Sequence, residues 1–180
     1  DTSRRAVLYA RREYNPYVRA AVGLHPIHLE DIEVDDSEVE GQIKFRTRKE
    51  EFRRAAYEDL IKEGGDRVVA VGEVGLDYWR LPKILDDKVT PKGGPSPLRT
   101  VGSLSIGRTV PPMSAADSAE TEEKYKRKQV DTLVSQLDLA MDHNIPVILH
   151  CRKAHNDLLE IVESHNITKN VNPPGVIHCY

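Results

Sequence analysis

The chain has only two cysteines, no long apolar run and no excess of positive charge among its 180 residues. Two thiols cannot build a disulfide framework. Cys151 and Cys179 each directly follow a histidine. Both suit a reducing compartment, hence a cytoplasmic or nuclear setting, and their plainer reading is as small buried residues. A membrane helix needs about 20 consecutive apolar residues, and no stretch approaches that. The N-terminus has no apolar signal region. Lys and Arg total 26 against 29 Asp and Glu, so the formal net charge is −3. No global basic field draws such a chain onto nucleic acid, and any such contact must be local. The length is short as well, since a complete eight-unit α/β barrel takes about 250 residues. The chain begins without methionine, at Asp1-Thr-Ser ahead of a helical pattern. It reads as a piece of a longer protein. Hydrophobic residues at 39% and charged residues at 31% still describe an ordinary soluble composition with enough apolar material for one core.

What is present centres on Val68–Tyr78, Val-Val-Ala-Val-Gly-Glu-Val-Gly-Leu-Asp-Tyr. A β-branched run bounded by glycine predicts a strand buried on both faces, as in a parallel sheet. Glu73 ends that run, bracketed by Gly72 and Gly75, and Asp77 follows. A carboxylate at such a position is costly to desolvate unless it pairs or binds a cation. The plainer alternative is a carboxylate in a solvated loop. Two further apolar runs end in histidine: Ile145–His150 and Pro174–His178. Parallel strands bring their C-terminal ends together, so Glu73, His150 and His178 are expected to converge. A lone histidine at a strand end is usually a core residue. A carboxylate and two imidazoles together form a ligand set for zinc, manganese or a similar divalent ion.

The remaining segments supply the frame. Arg4–Tyr14 predicts a helix with Ala6, Val7, Ala10 and Tyr14 on one face, and Asp1–Ser3 offers capping side chains. Tyr17–Leu24 predicts the first strand, with His25 at its end. Leu29–Gly41 is strongly acidic and reads as a solvated loop. Lys49–Glu63 predicts a helix with Phe52, Ala55, Ala56 and Leu60 inward, stopped by Gly64-Gly65. Tyr78-Trp79-Arg80 follow the Glu73 strand, where aromatics either stack on bases or close over the core. Leu81–Ala119 carries six prolines and four glycines with scattered lysine and arginine. A loop of that length is unusual. An insertion with no role of its own is favoured over a lid or a nucleic-acid contact. Thr121–Asn144 is the strongest helix, with Val130, Leu133, Val134, Leu137, Ala140 and Met141 at three- and four-residue steps. Ala154–His165 predicts another. Arg152 follows His150 closely, and its guanidinium can hold a phosphate oxygen bidentately. Its plainer reading is a surface ion pair with Asp157.

Several of these stretches resemble, in order, the motifs of the TatD family of metal-dependent hydrolases. They are Ala21–Pro26 (Ala-Val-Gly-Leu-His-Pro), Val71–Tyr78, Gln136–Ala140, Pro146–Arg152, Asp157 and Ile177–Tyr180. The resemblance covers most of the chain outside Leu81–Glu123 and a weaker patch at Leu29–Lys49. It implies an α/β fold, a partial (β/α)₈ TIM barrel of about four βα units. That barrel would span residues 1–180 as one domain, with residues 81–119 inserted. It also implies a deoxyribonuclease with DNA as substrate and two divalent ions, Mg, Mn or Zn, in the complete site. No obligate protein partner is implied. Glu73 becomes the bridging, catalytic ligand, with His150 and His178 on one ion. His25 becomes a substrate contact rather than a ligand. Asp77 orients a ligand or a loop. The family often has His-Pro-His where this chain has His25-Pro-Ile-His28, so His28 reads as a solvated loop residue. The family's His-x-His pair and late-strand aspartate are not in the sequence. About two strands at each end of such a barrel would be missing, and three ligands hold at most one well-defined ion. Two other readings stand beside the nuclease. One is a non-catalytic remnant that binds a partner. The other is an amidohydrolase-type enzyme acting on a small amide or lactone. An open half-barrel exposes strand edges, so the isolated chain is expected to self-associate.

Overall fold

The computed structural model describes residues 2–12, 16–36, 43–79, 81 and 115–178. Tyr14, Arg80, Cys179 and residues 82–114 of the expected insertion lie outside the described residues. Four parallel strands form the main sheet: β1 (Ala20–Val22), β4 (Val68–Asp77), β5 (Val147–Arg152) and β6 (Gly175–His178), in the order β1-β4-β5-β6. The α/β class and the parallel sheet expected from the apolar runs are present. Between β1 and β4 lies a two-stranded antiparallel hairpin, β2 (Glu33–Asp36) with β3 (Ile43–Arg46).

Helices cover the sheet. α1 (Thr2–Ala10) packs on β1, and α2 (Arg54–Gly64) packs on α1 and β1. α3 (Ala115–His143) lies along β4, and α4 (His155–Ser164) leans on β5. α5 (Ile167–Asn170) is a single turn before β6. The three-residue and four-residue steps in α3 bury Leu133, Leu137 and Ala140 as expected, together with Leu139. Each fully buried leucine contributes about 1.5–3 kcal/mol. Facing them are Val71, Val74 and Leu76 of β4, all without solvent exposure.

The structure corrects several boundaries. The first strand is three residues long rather than eight, because after Val22 side chains replace the ladder partners of Gly23 and Leu24. The first helix ends at Ala10. Ser3 lies inside it and does not cap it; its Oγ bonds the backbone of Gly23. The second helix starts at Arg54, not Lys49. The segment before it is irregular, with Lys49 at φ +48° and Glu50 N–H donating to His28 C=O at 2.7 Å. Its inward face is therefore Tyr57, Leu60 and Gly64, while Ala55 and Ala56 are exposed. α3 begins at Ala115, so the last residues assigned to the insertion are helical. The acidic segment is not simply a loop. Glu33 pairs in register with Arg46, whose guanidinium offsets its charge, and Asp35 is in register with Lys44 along the same ladder. Asp31 binds the Arg46 guanidinium through both carboxylate oxygens, at 2.6 and 2.8 Å.

Candidate metal centre

The sequence expectation placed Glu73 at a strand end. β4 instead runs four residues past it. At Glu73 the pairing with β5 slips: Gly72 lies opposite Ile148 and Val74 opposite Leu149. The extra residue makes a bulge, a local break in the ladder that re-aims a side chain. A Cβ at Gly72 would lie 2.6 Å from Ile148 Cβ, so the slip brings the two strands too close for a larger residue.

Residues two apart along a strand share a face. Glu73 and Asp77 flank Gly75, which is in register with His150. Gly75 has φ of +149°, and a Cβ there would lie 2.0 Å from His150 C=O. The glycine thus allows the close approach of β5. His150 reaches both carboxylates, Nδ1 standing 3.0 Å from Glu73 Oε1 and Nε2 3.2 Å from Asp77 Oδ2. His150 and Asp77 are buried. The other Asp77 oxygen accepts from Trp79 N–H at 3.1 Å. Asp77 thus meets a ring nitrogen of His150 with one oxygen and the backbone of Trp79 with the other.

His178 is in register with His150 on the next strand. Its Nδ1 stands 3.0 Å from the same Glu73 oxygen, with 61% of its side chain exposed. His25 approaches from the segment after β1. Its Nε2 is 3.9 Å from Glu73 Oε1, and its ring lies 4.3 Å from that of His150. One Glu73 oxygen therefore faces three imidazoles. Donor atoms of His25, Glu73 and His150 lie within 4.8 Å of one another. Sequence reasoning grouped Glu73 with His150 and His178; the fold adds His25 to the same cluster.

Burial and the neighbouring His150 lower the pKa of His25 to about 4, which keeps its imidazole neutral, with Nδ1 accepting from Ile27 N–H at 3.2 Å. Burial pushes the Glu73 carboxyl up, but hydrogen bonds from His178 and His150 outweigh it and hold the group below its ordinary value. A carboxylate among imidazoles is a donor set that a divalent cation takes, and Asp77 lies on the far nitrogen of His150, where a group that orients a ligand ring stands. The residues present fit such an ion.

Other expected site residues lie around this cluster. Arg152 does not extend into solvent; its guanidinium carbon lies 5.4 Å from the Trp79 ring centroid, and Lys153 Nζ lies 3.8 Å from it. Asp157 accepts a 2.8 Å hydrogen bond from Tyr78 Oη. His28 is not a solvated loop residue. It lies in the turn Pro26–Leu29, half buried, and its Nδ1 is buried without a hydrogen-bond partner among the described residues. The turn folds its ring towards that of His25, with centroids 6.4 Å apart. A cleft of ≈ 280 Å³ opens beside His25 and Glu73, bounded by Ser3, Gly23, Arg48 and Tyr57.

Sequence reasoning gave no role to Gln129 and Gln136. Both are buried on α3. Each binds a strand-end backbone through both ends of its amide, Gln129 at Asp77 and Gln136 at Leu24. The available signal was two amides seven residues apart on the face that otherwise carries leucine.

A parallel α/β sheet with carboxylate and imidazoles gathered towards the C-terminal ends of its strands defines a segment of a barrel-type protein. The chain belongs to the TatD family: the family model described as TatD related DNase matches residues 1–89 and 116–180. Among solved structures it is similar to YJJV, a TatD homologue of Escherichia coli, at 23% identity and a TM-score of 0.52. It is likewise similar to a hydrolase of the TatD family from Entamoeba histolytica, at 19% identity and a TM-score of 0.52. The match covers 98% of this chain and 43% of the first protein, and 99% and 40% for the second. The chain thus spans less than half the length of either. No curated protein matches it. No helix among the described residues is long and apolar enough to cross a membrane.

Proposed function

We propose that this chain carries the central part of a divalent-metal-dependent hydrolase site, and that the whole protein is a deoxyribonuclease acting on DNA phosphodiester bonds. The observation that supports this reading most is the single Glu73 oxygen facing His150, His178 and His25. Glu73, His150 and His178 would hold the ion, with His25 either a further ligand or a contact to substrate. When bound, the metal supplies Lewis acidity and a water acidic enough to ionise near neutrality. The chain's own residues do the positioning. Asp77 fixes the His150 ring, and Gly75 lets β5 approach closely enough for that ring to meet both carboxylates.

Arg152 and Lys153 flank Trp79 at the ends of β4 and β5, where an anionic substrate would approach. Arg152 is the proposed phosphate contact. The cytoplasm is the proposed location, consistent with the free, buried Cys151.

The test is an activity panel on the whole protein with added Mg²⁺, Mn²⁺ or Zn²⁺, using DNA beside small amides and lactones. DNA cleavage that chelation removes, and that Glu73→Ala abolishes in a folded protein, is the expected result. Cleavage of a small amide or lactone alone would replace the nuclease with an amidohydrolase-type enzyme. No hydrolysis under any metal would leave the partner-binding remnant.

A further inference from the structure

We propose that Gln129 and Gln136 are positioning residues, through which one helix sets the two strand ends that carry the candidate metal centre. Each amide occupies the place of a missing ladder neighbour. Gln129 Oε1 accepts from Asp77 N–H at 2.7 Å, and its Nε2 donates to Asp77 C=O at 3.1 Å. Gln136 repeats the pattern on Leu24, accepting from N–H at 2.7 Å and donating to C=O at 3.2 Å. A side-chain amide carries one acceptor and two donors, so it can meet a peptide group as a neighbouring strand does. The amides are seven residues apart, about two helical turns, and so lie on one face of α3.

The two backbone groups they hold are adjacent to the site. Asp77 meets Nε2 of His150 through its side chain, while Gln129 grips its main chain. Leu24 is the residue before His25, and β1 has ended at Val22. Between Val22 and His25, Ser3 holds Gly23 and Gln136 holds Leu24. Removing Gln129 therefore acts on the orientation of His150. Removing Gln136 acts on the placement of His25. Leu133 lies between the two glutamines on the same helix and is buried, but it touches the site only through packing.

This proposal rests on the site reading above, so its test includes a readout that needs neither metal nor activity. The whole protein would be labelled with ¹⁵N and the imidazole nitrogens observed without metal. Gln129→Met is expected to shift the ring nitrogens of His150 most, and Gln136→Met those of His25 most. Gln129→Glu, which keeps the acceptor and loses the donor, serves if the Met variant does not fold. Leu133→Ala is the comparison: it should lower Tm and leave the rings in place. In parallel, Mn²⁺ affinity of either glutamine variant should fall about 10-fold or more, as for other groups that orient ligands. Unmoved ring signals in the glutamine variants, or equal movement in Leu133→Ala, overturn the proposal. An unsubstituted protein that binds no Mn²⁺ would overturn the metal reading instead, and the ring signals would still decide this one.

Discussion

β4 and β6 belong to one sheet and both contribute to one cluster, yet they live in different solvents. β4 has a strand on either side and α3 along it, and Val71, Val74 and Leu76 are fully buried. Among the described residues β6 has only β5 beside it, and all four of its residues are exposed, Val176 by 59% and Ile177 by 46%. The same difference divides the two histidines. His150 and His178 each place Nδ1 at 3.0 Å from Glu73 Oε1, but the His150 side chain is 3% exposed and that of His178 61%. Equal distances do not make equal interactions. A buried contact lies in a low dielectric and must be satisfied, whereas an exposed one competes with water and salt. Within this chain the enclosed part of the candidate centre is thus the β4–β5 side, and His178 stands on a strand that the described residues leave open.

That contrast can be broken by mutation. The largest effect is expected in the core under β4, where Leu137→Ala should cost about 2–5 kcal/mol, read from urea denaturation. Loss of less than about 1 kcal/mol would mean that α3 does not close over β4 as described. Next come the two histidines. His150→Gln takes from buried Asp77 its imidazole partner and should cost about 1–3 kcal/mol without metal. His178→Gln should stay within about 0.5 kcal/mol by the same denaturation, as for an exposed substitution. Equal losses would erase the distinction between the two strands. The smallest effect on stability is expected at the edge. In the chain taken by itself, Val176→Lys should leave Tm nearly unchanged while reducing self-association in sedimentation, because a charge on a strand left open there discourages pairing with another chain. Self-association that ignores this charge would place the contact elsewhere.

Much of the sheet was legible because its signals are local. A glycine-bounded β-branched run announced β4, an apolar run ending in histidine announced β5, and the apolar steps of α3 announced its buried face. Glu73, His150 and His178 were legible as candidates for the same reason, each at the end of an apolar run. The hairpin was not, because Glu33–Asp36 is extended through its pairing with Ile43–Arg46, further along the chain, rather than by a pattern of its own. The start of α2 was misread because Lys49–Arg53 is held by the loop before it, a contact no helical propensity records. His28 looked like a loop residue because the turn that folds it towards His25 depends on Leu29 being buried.

The sequence by itself determined the residue types of the centre and the strands that carry them, because side-chain chemistry and continuous apolar runs are properties of the chain alone. Only the tertiary structure decided how those groups meet. The slip at Glu73, the approach of β5 over Gly75, the entry of His25 and the two glutamine contacts each depend on hydrogen bonds between segments far apart in the sequence. Burial then made the histidines unequal, because solvent exposure is set by what packs against a strand and not by the residue it carries.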